Sequence, residues 1–280
     1  MTAADMSTLQ NYWFRVVPRQ LVLLRADGTD DPVLRSGASL FALNRNRNRN
    51  RNRNRNRGLN RNAERAGPTL IQEPWEERGF LHKRLADWID LPIDRPPPMH
   101  DLRKECVDLL KKQYLRGQPE QAVRRDEMLL ERTLELSAFL RPLNIEEAGG
   151  YTATEALMLK VMMLTDEIGL RYKDRFRCPR PNQVEPRLRP FFANPAHSSY
   201  PSNHAFQSFS VAFVFARVLP EHPAICELFN SARRIAENRE WAGVHYASDT
   251  RAGYDLARMV LPVLEIALRK PMLEAQDEWI

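Results

Sequence analysis

Long hydrophobic runs are missing from this chain. No apolar stretch reaches the roughly 18 residues that a bilayer-spanning helix requires, which argues against an integral membrane protein. The N-terminal residues Met1 to Met6 lack a basic region followed by an apolar segment. No signal peptide is therefore read, and the cytoplasm is the expected compartment. Cysteine is scarce: Cys106, Cys178 and Cys226 are odd in number and show no C-x-x-C spacing. That excludes a disulfide framework and a zinc-ribbon site and fits a reducing compartment. No cluster of divalent-metal ligands is visible either. What remains is a chain of 280 residues with 43% hydrophobic content, enough to bury a substantial core.

The net charge of +6 has a local source. Residues 44–57 are an uninterrupted Asn-Arg dipeptide repeat with seven arginines, Arg45 to Arg57, and the rest of the chain is close to neutral without them. A stretch with no apolar residue and like charges at every second position is expected to be disordered. It reads either as an arginine-rich arm for phosphate backbones or as a low-complexity insert in a surface loop. No aromatic residue is interleaved for base stacking, so nucleic acid is the disfavoured partner.

Residues 1–98 are read as an N-terminal region of unassigned role. They hold β-like runs at Trp13–Val17 and Leu21–Leu24, a turn-rich Ala26–Pro32, and a short helix over Phe80–Ile89. Arg95-Pro96-Pro97-Pro98 is a stiff break and marks the expected boundary of a helical domain over 99–270, with 271–280 as a C-terminal tail. In that domain the patterns predict helices at Leu102–Arg116, Pro119–Arg141, Thr152–Tyr172, Asn203–Leu219, Pro223–Arg239 and Asp249–Arg269, the last kinked at Pro262. Thr152 and Glu155 have capping-box spacing, and Ala156–Leu164 is apolar nearly all round, the mark of a central helix. No strand is read after residue 98, so the fold class is all-α, a helical bundle.

The residues that carry chemistry sit at the ends of these helices. Ser202 is a favoured N-cap, and a helix start offers unpaired N–H groups to an anion. His204 stands in that first turn, placed to exchange a proton with a bound group. Lys173 follows the central helix, with Arg180-Pro181 after six more residues. On the fifth helix the apolar face runs Ile225, Leu228, Phe229, Ala232 and Ala236, and its next step is Arg239. A guanidinium aimed inward needs an anionic partner, whether a ligand or a buried carboxylate. His245 and Asp249 are four apart, so a helical turn brings imidazole and carboxylate together and fixes the ring tautomer.

Each piece alone is weak. Together Lys173, Arg180, Pro181, Pro201, Ser202, His204, Arg239, His245 and Asp249 fix nine positions, a match that chance gives on the order of once per million chains of this length. The pattern resembles that of the type 2 phosphatidic acid phosphatase superfamily, which includes bacterial class A acid phosphatases and vanadium haloperoxidases. Ser199–Ser202 and Ala242–Asp249 strengthen the likeness, which covers roughly residues 150–270.

The resemblance implies a helical bundle of the acid phosphatase/vanadium haloperoxidase type and roles residue by residue. Lys173, Arg180 and Arg239 would grip phosphate oxygens, with Ser202 and the backbone N–H of Asn203 completing the cradle. His245 would be the nucleophile, held by Asp249, and His204 the general acid and base. Two positions depart from the pattern: Asn203 replaces a glycine, and Asn238 replaces a serine. If position 203 requires a positive φ, asparagine is the least costly substitute, and its side chain would narrow the pocket mouth. His197 lies in the loop before the central motif, near the mouth; His82, His100 and His222 have no constellation around them.

The expected function is a soluble, metal-independent phosphatase that acts on small phosphate monoesters through a phosphohistidine, with no cofactor. The alternative is a vanadate-dependent haloperoxidase with His245 as the vanadate ligand, since one set of residues holds both groups. Haloperoxidases of the superfamily tend to be longer, with a duplicated bundle, so the chain length favours the phosphatase. Class A relatives are usually exported, which makes the periplasm the compartment if the true start lies elsewhere.

Overall fold

The computed structural model describes residues 12–17, 20–25, 74–132, 136–146 and 148–280. The Asn-Arg repeat and the turn at Ala26–Pro32 lie outside them. The chain divides into two compact units, 1–62 and 63–280. In the first, strands β1 (Tyr12–Val17) and β2 (Gln20–Arg25) form an antiparallel hairpin with Tyr12 opposite Arg25 and Val17 opposite Gln20. These are the two β-like runs of the sequence.

The second unit is helical. Its described elements are α1 (Trp75–Lys83), α2 (Met99–Arg116), α3 (Ala122–Leu130), the single turn α4 (Ser137–Leu140), α5 (Thr152–Phe176), the single turn α6 (Pro181–Val184), α7 (Asn203–Val218), α8 (Ile225–Trp241), α9 (Ala247–Ala267) and α10 (Arg269–Asp277). The apolar helix α7 is the hub, packed against α5, α8 and α9. Ala205, Phe206, Val211, Ala212, Val214 and Phe215 are fully buried there. In α5 no residue from Ala153 to Gly169 is exposed, as the all-round apolar pattern predicts for a central helix.

The boundary expected at Arg95–Pro98 is not where the chain divides. Leu81 of α1 and Trp88 after it are completely buried in the same core as α5 and α9. Residues 271–280 are likewise not a tail. Helix α10 buries Pro271 and Ala275, and the Trp279 ring lies 4.7 Å from Tyr151. The capping box of α5 is replaced from this end of the chain. Thr152 is already inside the helix, and the Glu278 carboxylate accepts from Ala153 N at 2.7 Å and Thr154 N at 2.8 Å. A carboxylate there both satisfies orphan donors and meets the positive end of the helix dipole.

The helix predicted over Pro119–Arg141 is broken. A 3₁₀ turn over Pro119–Gln121 leads into α3, which stops at Leu130. The Glu131 carbonyl, at the C-cap of that helix, meets His204 Nε2 at 3.0 Å. A local rule thus gives way where the chain is needed elsewhere. The other ends fall within two residues of expectation, apart from α2, which starts three residues early, α5, which runs on by four, and α1, which lies five to six residues before the helix expected over Phe80–Ile89.

Candidate active site

The C-terminus of α5, the loop from Arg177 to Ser202, the N-terminus of α7, the end of α8 and the start of α9 converge on one point. Lys173, in the last turn of α5, is 1% exposed. Its Nζ donates to the carbonyls of Ser198 at 3.1 Å, Ser199 at 2.6 Å and Pro201 at 2.5 Å. All three ammonium donors are therefore spent on the loop that carries Ser202. That loop is also tied to α9, with Ser202 N donating to Asp249 O at 3.0 Å. The Tyr200–Pro201 peptide is cis.

Ser202 caps α7, its Oγ accepting from Ala205 N at 3.4 Å. Gly253 of α9 lets the two helices meet there: a Cβ on it would stand 2.7 Å from Ser202 O and 2.8 Å from Ala205 Cβ. Asn203 opens α7 in ordinary helical geometry and is not among the positive-φ residues, so no glycine-like backbone is required. Nor is its side chain spent on the mouth. Nδ2 donates to Asp166 Oδ1 at 3.0 Å, and the amide packs onto Gly169 of α5.

His245 precedes α9, and its Nδ1 donates to Asp249 Oδ2 at 2.7 Å. The same oxygen accepts from Ser199 Oγ and from Tyr246 N. This arrangement fixes the tautomer and leaves the Nε2 lone pair free. That lone pair accepts from Arg180 Nη1 at 3.1 Å, so an anion-gripping group touches the nitrogen that would attack. Arg180 also donates through Nη1 to Val244 O at 2.7 Å and through Nη2 to Ser198 O, to His197 O and to His197 Nδ1. Arg239 lies over the Phe192 ring, bonded through Nη2 to the Glu131 carboxylate, while its Nε is buried without a partner.

Burial and cations set the protonation states. Burial presses Lys173 well below the usual ammonium range, with Arg180 adding to it. Burial, then Arg180 and Lys173, hold His245 well below its ordinary value. Burial and Arg239 bring His204 to about 3, and burial with Lys173 brings His197 to about 3. Burial pushes Asp249 up to about 6 against the pull of Ser199, Lys173 and Arg180. Burial pushes Glu131 up to about 7 against Arg239 and raises Asp166 against Asn203. The three imidazoles are thereby held neutral, suited to attack and to proton transfer.

All eight residues singled out from the sequence, Lys173, Arg180, Ser202, Asn203, His204, Arg239, His245 and Asp249, line this one place. Four others were missed or passed over. Ser199 bonds Asp249, Asp166 holds Asn203, Glu131 grips Arg239, and His197, read as a loop residue near the mouth, touches Arg180. Asp166 carries a sequence signal, a carboxylate inside an otherwise apolar helix. Glu131 carries none, because the residues around it read as an ordinary charged helix. Asn238, where the motif usually has serine, donates to both Glu127 and Glu131.

Residues 153–270 match the family model described as the PAP2 superfamily. Several solved structures resemble the chain, two of them as follows. One is the transmembrane PAP2-type phosphatidylglycerolphosphate phosphatase from Bacillus subtilis, at 19% identity over 70% of this chain and 97% of that one, with a TM-score of 0.44. The other is a bacterial vanadium-dependent chloroperoxidase in its holo form, at 10% identity over 64% of this chain and 51% of that one, with a TM-score of 0.50. This chain thus spans about half the length of the chloroperoxidase, and that likeness establishes the shared fold. No curated protein matches the chain. Among the described residues no helix is long and apolar enough to cross a membrane.

Proposed function

From the match of residues 153–270 to the PAP2 superfamily model, we propose that the protein is a phosphatase that hydrolyses small, water-soluble phosphate monoesters through a phosphohistidine at His245. The observation that carries the reading is the line Asp249–His245–Arg180. A carboxylate holds one ring nitrogen at 2.7 Å, and the other nitrogen faces an anion-gripping guanidinium at 3.1 Å. A nucleophile and its phosphate clamp are thereby one contact apart.

In the proposed reaction Arg180 and Arg239 turn their donors to the phosphoryl oxygens, beside the N-terminus of α7. His245 Nε2 forms a bond to phosphorus as the bond to the ester oxygen breaks. His204 donates to Glu131 O through Nε2, which leaves Nδ1 for proton exchange. A bound dianion offsets the cations that hold His204 neutral, so the ring takes up a proton and passes it to the leaving oxygen. Neutral His204 then removes a proton from water, whose oxygen attacks phosphorus, and phosphate leaves as His245 is restored. Fixed cations and helix N–H groups stabilise the charge that builds on the equatorial oxygens.

The test is hydrolysis of 4-nitrophenyl phosphate in EDTA, with and without vanadate, beside His245→Ala. The expected result is turnover that survives EDTA, is inhibited by vanadate and is lost in the variant. Turnover lost with EDTA contradicts the proposal. No turnover, with bromide oxidation by peroxide once vanadate is added, assigns the pocket to peroxidase chemistry with His245 as the vanadate ligand.

A further inference from the structure

Among the described residues, Glu131 is the only carboxylate bonded directly to Arg180 or Arg239, the two proposed phosphate-gripping cations. Oε2 accepts from Arg239 Nη2, Oε1 accepts from Asn238 Nδ2 at 2.6 Å, and the side chain is only 11% exposed. The backbone carbonyl of the same residue meets His204 Nε2 at 3.0 Å. Glu131 therefore touches an anion clamp with its side chain and the proton-transferring histidine with its main chain.

Charge around it is closely matched. From α8 come Arg239, Asn238 and Arg234, the last bonded to Glu127 at 2.7 Å. From α3 come Glu127 and Arg124, whose Nη1 donates to Asn238 Oδ1 at 2.8 Å. Arg132 follows in the chain, within electrostatic reach of Arg239, and α7 supplies His204. Across the whole pocket, Lys173 and Arg180 face Asp249, Lys173 also faces Asp166, and Arg239 faces Glu131. Three cations meet three carboxylates. With all six ionised and the histidines neutral, a doubly charged phosphoryl group would add uncompensated charge to a buried space, which is costly.

We infer that the Glu131 carboxyl is the proton-linked determinant of anion binding: ionised, it shares Arg239 with the incoming group and weakens its hold, and on protonation it returns that guanidinium to the phosphoryl oxygens. This rests on the phosphatase reading and gives the pocket its upper pH limit. Arg239 Nε, buried without a partner, is an unused donor on the same guanidinium. Burial pushes the Glu131 carboxyl up to about 7, so the proton is exchanged near neutrality. A second negative charge alongside pushes it higher still. Binding therefore takes up a proton, and affinity falls as pH rises above that point.

Sulfate is the probe, because its own charge is constant near neutrality. Calorimetric titration of the full chain with sulfate, from about pH 6 to about pH 9, should show affinity falling by up to about tenfold per unit above neutrality. The same titration in two buffers of different ionisation enthalpy should show uptake of at least one proton. In Glu131→Gln the slope should flatten and the uptake should fall by close to one proton, leaving only what His204 takes up. An equal slope in wild type and Glu131→Gln, or a flat wild-type profile without proton uptake, overturns the inference and leaves the phosphatase reading intact. Should Glu131→Gln not fold, the same titration of His204→Ala decides: uptake of close to one proton near pH 7 supports the inference, and its absence overturns it. No sulfate binding at any pH overturns the anion pocket itself and both readings with it.

Discussion

A methyl group on Gly169 would stand 2.3 Å from Asn203 Oδ1, so these two residues, one on α5 and one at the first position of α7, share a single volume. The glycine on one helix accommodates the asparagine on the other. The Asn203 amide is pinned there by its bond to Asp166 at 3.0 Å. Through this contact the helix that offers its N-terminus to an anion is seated on the helix that carries Lys173.

The pair should behave as a unit. Gly169→Ala expels the Asn203 side chain and should destabilise the protein by about 1–3 kcal/mol, the cost of overpacking and of a buried hydrogen bond lost. In an Asn203→Gly background the same change should be neutral or stabilising by a few tenths to about 1 kcal/mol, as alanine replaces glycine in a helix. Urea unfolding of the four proteins measures the coupling. Additive effects would mean the volume is not shared.

Gly253 lacks such a remedy, because its neighbours are backbone atoms of Ser202 and Phe206. Gly253→Ala must push α9 away from the α7 N-terminus. The expected outcome is a loss of at least about 1–3 kcal/mol in urea unfolding together with a raised KM for 4-nitrophenyl phosphate. An unchanged KM would show that the cradle does not depend on this contact.

The spacing from Lys173 to Asp249 made the pocket legible because each residue stands at a helix end, where sequence signals are densest. Arg239 was legible as an inward cation, and its buried carboxylate partner was anticipated without being located. Glu131 stayed hidden because its role arises where α3 stops short, and its sequence offers no breaker at that point. Asn203 was misjudged because a glycine in a motif implies a special backbone, whereas here an ordinary helical turn suffices. The last ten residues read as a tail because the hydrogen bonds of Glu278 and Trp279 to α5 are long-range contacts that no local pattern encodes.

Glu278→Ala should therefore cost about 0.5–2 kcal/mol of stability, the usual worth of a helix N-cap, and leave hydrolysis unchanged because the cap lies at the opposite end of α5 from Lys173. Thermal or urea unfolding checks the first part, and kcat the second. A stability equal to that of wild type would show that water replaces the carboxylate without loss.

His197 offers a test by pH. Its folded-state pKa is depressed to about 3 by burial and by Lys173 and Arg180, against an ordinary value of 6.5. Between these values the unfolded chain binds a proton that the folded one does not, so its contribution to stability is lost as pH falls. The slope is up to about 1.4 kcal/mol per pH unit for one such group. Glu131 and Asp249, with raised values, act in the opposite sense, but they are common to wild type and variant. His197→Gln should lose stability less steeply than wild type from about pH 6 to about pH 4. Parallel curves would mean that His197 protonates normally in the folded protein.

The central claim is that His245 carries the phosphoryl group, and the direct measurement is to trap it there. His204→Ala removes the base that activates water and leaves the nucleophile, so mixing it with phosphorus-labelled 4-nitrophenyl phosphate and quenching in alkali should preserve the bond. The account predicts label on the peptide containing His245, stable to alkali and lost in acid, and absent from the His204→Ala/His245→Ala double variant. Label on any other residue, or turnover by His245→Ala, would contradict it.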